Sequence, residues 1–129
     1  MKIPERLQTS KPWIALAVAW FALLFYLSSR SHPDTGISFP QSDKVLHATY
    51  YTAGALCAFF AMWYRQRGAS LFLASLAAVL FCAAVGAFDE YHQTFTPGRS
   101  GNDPWDWLAD VTGGFLGGWL GRALLRRQT

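Results

Sequence analysis

The sequence predicts an all-α fold, an integral membrane bundle of four transmembrane helices with both termini in the cytoplasm. Three observations predict it. Long apolar runs recur along the chain, basic residues fall on alternate connections, and the acidic residues collect where the basic ones do not. The chain has 129 residues, 52% of them hydrophobic, which is room for one domain and no separate soluble module beside the apolar runs. Mean hydropathy is only +0.15 because the polar residues are gathered into loops and one cluster.

The spans are expected at about 13–29, 45–64, 69–93 and 104–125. A hydrocarbon core of about 30 Å takes roughly 20 helical residues, which the second and third runs match. The first run is shorter and flanked by Lys11 and Arg30. It follows a basic tail, but it ends in Tyr-Leu-Ser-Ser-Arg, a poor cleavage site, so an uncleaved span is expected. Pro12 suits the first helical turn, and Trp13 and Tyr26 stand near the two membrane interfaces. The segment Arg30–Gln41 is broken by Pro33, Gly36 and Pro40 and reads as an irregular loop, with His32 a solvated residue.

The second helix can be N-capped by Ser42 or Asp43. Asp43, His47 and Tyr51 recur at i, i+4 and i+8 and share one face. His47 enters the helix by about 6 Å, a depth at which an ionisable group needs a partner. The third helix is a run of small residues, Leu and Phe up to Phe88, continuing through Asp89, Glu90, Tyr91, His92 and Gln93. Glu90 and Gln93 are expected on one face, Asp89 and His92 on another. Thr96-Pro97-Gly98 ends it in a turn, and Arg99 is expected to reach back over the acids.

The fourth run is the least apolar, with Asp106, Asp110 and five glycines between 113 and 121, so it must be packed by the others. Asp103-Pro104 reads as N-cap and first helical position. Asp110 lies about 9 Å further along the axis and must be protonated or paired with His47, Arg99 or a hydroxyl. Gly113, Gly117 and Gly121 form one four-residue repeat and Gly114 and Gly118 another. Such rows admit a close helix neighbour, from within the chain first, or in an oligomer seam.

Charge sets the expected orientation. Lys2, Arg6, Lys11, Arg65, Arg67, Arg122, Arg126 and Arg127 fall on one side, the cytoplasmic one by the positive-inside rule. Seven of the eight acids fall on the other. The pI of 9.1 therefore reflects topology, and no basic-aromatic stripe suggests a nucleic-acid partner. Cys57 and Cys82 sit among alanines and phenylalanines as small hydrophobes. No cofactor is expected; a metal on His47, Glu90 and Asp110 is chemically possible, but no helix carries a tight ligand motif and none is expected. No nucleophile elbow is present either.

The three helix ends opposite the basic side are expected to converge. Asp43, Lys44, His47 and Tyr51 meet Asp89, Glu90 and Gln93, then Asp106 and Asp110, with Arg99 bridging. This predicts a polar site open to the outside. The segments Asp43-Lys44-x-x-His47-x-x-x-Tyr51, Asp89-Glu90-x-x-Gln93-x-Phe95-x-Pro97-Gly98-Arg99 and Asp106-x3-Asp110-x2-Gly113 resemble, in that order, the VanZ-like family. The resemblance runs from Asp43 to Gly121, with one departure: the Asp110 position is usually asparagine. It implies a small multi-pass protein of the bacterial inner (cytoplasmic) membrane. The family's name-giving member is linked to low-level resistance to the glycopeptide antibiotic teicoplanin, and no agreed reaction comes with it.

Two functions are expected from these readings. One is binding or modulation of a cell-envelope lipid or lipid-linked cell-wall precursor, with Arg99 and Lys44 on its phosphate or carboxylate. The other is a membrane enzyme acting on such a lipid, with Glu90 and His47 as the acid–base pair. Asp43, Tyr51, Asp89, Gln93, Asp106 and Asp110 are the remaining ligand-binding candidates. A purely structural hydrogen-bond network is the third possibility.

Overall fold

In the computed structural model the described residues are 3–31, 36, 39–66 and 70–127. Lys2, His32 and Arg67, and the expected start of the third span at Ala69, lie outside them. After a 3₁₀ turn at Glu5–Leu7 come four helices: α1 Ser10–Ser28, α2 Ser42–Arg65, α3 Leu71–Gln93 and α4 Pro104–Arg126. Helices α1, α2 and α3 are long and apolar enough to cross a membrane.

Helix boundaries follow local chemistry, with one correction. Ser70 caps α3, its Oγ accepting from the Leu73 N–H at 3.1 Å. Asp103 caps α4 by accepting from the Trp105 N–H at 2.9 Å, with Pro104 at the first position, where a missing N–H costs nothing. The expected cap of α2 at Ser42 or Asp43 does not form. Both are already helical, and the cap position is Gln41, in the left-handed region at φ 61° with no side-chain cap. Asp43 turns instead to Lys44.

Helices α2, α3 and α4 form the core, and α1 packs outside them, mainly on α2. Without a hydrophobic drive between helices in lipid, close van der Waals approach must supply the cohesion. The two glycine rows of α4 supply it. A Cβ at Gly113 would stand 2.6 Å from the Ala48 carbonyl oxygen, at Gly117 2.4 Å from the Ala55 Cβ, and at Gly121 2.4 Å from the Phe59 ring, all on α2. Gly114 and Gly118 turn to α3, against Val79, Cys82 and Ser75. Both rows are thus filled from within the chain, the intramolecular packing that the sequence put first. The outward faces of α4 carry Trp105, Phe115 and Trp119 instead.

Because Gly113, Gly117 and Gly121 step along α2 in the same order as Ala48, Ala55 and Phe59, α4 runs parallel to α2. Helices α1 and α3 run the other way, as Trp13 on Phe60 and Gly118 on Ser75 require. Trp20 fastens α1 to α2 by a reciprocal pair. Its Nε1–H donates to the Tyr50 carbonyl at 3.0 Å, and the Tyr50 hydroxyl donates to the Trp20 carbonyl at 2.8 Å. Gly54 leaves room for the indole. Cys57 and Cys82 are both free, and Cys82 sits in the core beside Tyr51, Ala55 and Phe59.

Candidate functional site

Helix directions bring the end of α1, the start of α2, the end of α3 and the start of α4 to one end of the bundle. The first contacts there are ionic. The Lys44 ammonium donates to Asp43 at 2.8 Å, Asp103 at 3.0 Å and Asp106 at 2.6 Å. An ammonium has three donors, and all three are taken up by carboxylates. Lys44 therefore ties α2 to α4 and keeps no N–H for a ligand anion, contrary to the role the sequence suggests. The Lys44 ammonium, ahead of the Trp105 N–H, holds the Asp103 carboxyl below the usual carboxylate range.

Below this knot His47 and Asp110 pair, Nδ1 to Oδ1 at 2.8 Å. Of the partners open to Asp110, the structure selects His47, because α2 and α4 are parallel and the two residues lie at matching depth. Asp110 is fully buried. Its other oxygen is aimed at Gly86, where a Cβ would meet Oδ2 at 2.6 Å, so that glycine makes room for the carboxylate. With Asp110 ionised and the ring neutral, Nδ1–H donates to the carboxylate and Nε2 is left as the acceptor, 4.0 Å from Asp106 Oδ2. Tyr51, one turn deeper, lies with its ring nearly parallel to His47.

The end of α3 departs from the expected pairing. Gln93 Nε2 donates to Asp89 Oδ2 at 2.9 Å, so Asp89 and Gln93 share a face at i, i+4. Arg99 does not reach back to the acids. It donates from Nε at 3.2 Å and Nη2 at 2.7 Å to the amide oxygen of Gln93. Among the described residues it forms no ion pair. His92 points to α1, where it bonds Ser29 at 3.0 Å and stacks on Phe25.

Glu90 turns to the loop before α4 and accepts the Asp103 N–H at 2.6 Å. The Asn102 N–H reaches the Glu90 carbonyl at 3.2 Å. Gly101, at φ +57° and with no space for a Cβ against the Thr94 N, lets the loop fold in there. His47 and Glu90, the acid–base pair expected from sequence, are thus held by different partners.

A cavity of about 480 Å³ opens between α1 and these ends. Its lining includes the apolar Leu24, Leu27 and Leu46 and the polar Asp43, His47, Tyr51, Asp89, Gln93, Arg99 and Asp106. Lys44, Glu90 and Asp110 are not among the lining residues. Four buried side-chain atoms have no partner among the described residues: Ser28 Oγ, Tyr51 Oη, Glu90 Oε1 and Asp110 Oδ2. Sequence reasoning missed Ser28, which lines the cavity, and Gly86, which seats Asp110. The one signal for Gly86 is a lone glycine in a run of Ala, Leu, Val and Phe.

The family model described as VanZ/LLP1 matches residues 13–126, from the second turn of α1 to the end of α4. Comparison with curated proteins and comparison with solved structures each return no match. With the match spanning most of its length, the chain belongs to the VanZ/LLP1 family.

Proposed function

We propose that this VanZ-family protein binds an amphipathic cell-envelope lipid, or a lipid-linked cell-wall precursor, at a cavity open to the outer face of the bacterial inner membrane. One observation carries the reading: the cavity lining combines leucines of α1 and α2 with a guanidinium held by Gln93 and a set of polar side chains. That is the mixture of surface a lipid needs, apolar for its chains and polar for its head group. Arg99 is the group for a phosphate or carboxylate, its geometry set by Gln93 and its charge not cancelled by a direct ion pair among the described residues. Modulation of a precursor lipid is also a route to the glycopeptide resistance associated with the family's name-giving member.

On this reading the whole chain is one membrane domain with four spans and cytoplasmic termini. Helix α4 has 23 residues, about 35 Å of helix, enough for a bilayer core. Its glycines and Asp110 are covered by α2 and α3, while Phe115 and Trp119 face outward. Arg6, Lys11, Arg65, Arg122, Arg126 and Arg127 gather at the end away from the cavity, which supports a cytoplasmic placement there.

Mass spectrometry of lipids that co-purify in mild detergent, wild type beside Arg99→Ala, tests the binding reading. A polyprenyl phosphate or precursor lipid enriched with the wild type alone is the expected result. Identical bulk phospholipid with both proteins would overturn it.

A second reading, acid–base chemistry on a lipid-linked phosphate, is favoured by the His47–Asp110 pair, which differs from the His47–Glu90 pair suggested by sequence. A buried carboxylate orients the imidazole and leaves Nε2 on the cavity side, the arrangement of an oriented general base. An enzyme keeps its lipid in His47→Gln and stops converting it. A binding protein with His47→Gln shows no lost turnover, because there is none to lose.

A further inference from the structure

We infer that the head group taken by this cavity is zwitterionic, a phosphodiester joined to an ammonium group, with the phosphodiester on Arg99 and the ammonium among Asp43, Asp89 and Asp106. The inference rests on the lipid-binding reading above and specifies its ligand.

The charge on the cavity wall is the first argument. Its described lining carries three carboxylates, Asp43, Asp89 and Asp106, against one guanidinium, Arg99. Lys44 is not part of the lining, and its single charge is shared among Asp43, Asp103 and Asp106, so counting it still leaves the carboxylates in excess. A head group with only negative charge would meet Arg99 and be repelled by the acids around it. A purely cationic one would be drawn to the acids and repelled by Arg99. A head group with both charges satisfies both sides.

The second argument is how the opposite charges are kept apart. Asp89 and Arg99 do not pair with each other. The Gln93 side chain stands between them, donating from Nε2 to Asp89 at 2.9 Å and accepting Arg99 on Oε1. This neutral spacer orders the guanidinium without neutralising it, and leaves it N–H groups to offer. Asp106 likewise places Oδ1 on Lys44 and leaves Oδ2 4.0 Å from the His47 ring, beyond hydrogen-bond length.

An independent observation indicates a missing polar partner. Ser28 and Tyr51 both line the cavity, are 3% and 1% exposed, and have hydroxyls without a hydrogen bond among the described residues. Buried hydroxyls are rarely left so. A phosphodiester, with several acceptor oxygens and no donor of its own, is suited to accept from them. Leu24, Leu27 and Leu46 give its chains apolar surface.

The test is native mass spectrometry of the full chain in mild detergent, titrated with dioleoyl phosphatidylethanolamine and dioleoyl phosphatidylglycerol, which share chains and differ in the ammonium. Wild type is expected to favour the ethanolamine lipid about tenfold, the scale of one hydrogen bond to a charged group. That preference should fall towards parity in Asp43→Asn, whose side chain is 60% exposed and whose neutralisation leaves the core alone. Arg99→Ala should weaken both lipids.

Equal or tighter binding of the glycerol lipid, itself lost in Arg99→Ala, overturns the zwitterion and leaves the lipid site standing. A preference unchanged in both Asp43→Asn and Asp106→Asn also overturns it. If neither lipid responds to Arg99→Ala, both readings fail together.

Discussion

The two ends of the bundle use the same three helices in opposite ways. At the glycine end, α4 lies against α2 and α3 so closely that a single methyl group at Gly117 or Gly121 would collide, and the contacts are apolar. At the polar end the helices are linked through Lys44, His47, Glu90 and Gln93, and a cavity stays open between them and α1. All four buried side-chain atoms left without partners among the described residues lie at the polar end. A buried polar atom left with no partner at all costs about 1–3 kcal/mol. Cohesion therefore resides in the glycine end, and the polar end holds buried groups whose partners must come from a ligand, a proton or water.

Substitutions at the two ends should separate these roles. The largest effect is expected at Gly117. Its added Cβ would lie 2.4 Å from the Ala55 Cβ and 2.7 Å from the Thr52 carbonyl oxygen. Gly117→Val should lower unfolding free energy in detergent by about 3 kcal/mol, the upper range of overpacking. Gly118→Ala, whose Cβ would sit 3.4 Å from its nearest neighbour, should be neutral or up to about 1 kcal/mol stabilising, since Ala is the better helix former. Equal losses at both positions would mean that the α2–α4 seam is not what holds the bundle.

Next is Asp110. Asp110→Ala strands His47 Nδ1 and should cost about 1–3 kcal/mol, whereas Asp110→Asn keeps an acceptor oxygen and should recover most of it. Thermal unfolding that fails to distinguish the two variants would show that the pair contributes nothing to stability. Arg99→Ala removes two hydrogen bonds to a neutral amide at a half-buried loop position. It should change stability by only about 1 kcal/mol while abolishing selective lipid retention, which is the expected contrast with Gly117.

The smallest effect is expected at Asp103. Asn still caps α4, so Asp103→Asn deletes only a partly exposed ion pair, worth less than about 1 kcal/mol. The sign with pH follows from the depressed carboxyl. The contribution is complete above the unfolded value of 3.8 and fades as pH falls through the lower native value. Melting curves of wild type and Asp103→Asn should therefore converge in strong acid and differ at neutral pH.

Much of this was readable in the residues, and the limits have physical causes. The i, i+4, i+8 spacing put Asp43, His47 and Tyr51 on one face, and Asp103-Pro104 marked the start of α4, because both signals are local. The partner of Asp110 was narrowed to three candidates but not chosen, since the choice depends on the register of two parallel helices 63 residues apart in sequence. Lys44 read as a free cation because its other two acids lie 59 and 62 residues away. The course of Arg99 depends on a loop with positive φ at Gly98, Gly101 and Asn102, a backbone path that residue types alone do not specify. Both glycine rows were visible as rows, whereas which faced α2 and which α3 emerged only from packing.

The most direct measurement is photocrosslinking in native membranes, with benzoylphenylalanine at Leu46 on the cavity wall and, separately, at Trp119 on the exposed face of the glycine end. Mass spectrometry of the adducts should find one lipid class at Leu46, lost when Arg99→Ala is added, and the bulk lipid mixture at Trp119. The same mixture at both positions, indifferent to Arg99, would contradict a ligand site at the polar end and leave its charged network a structural feature.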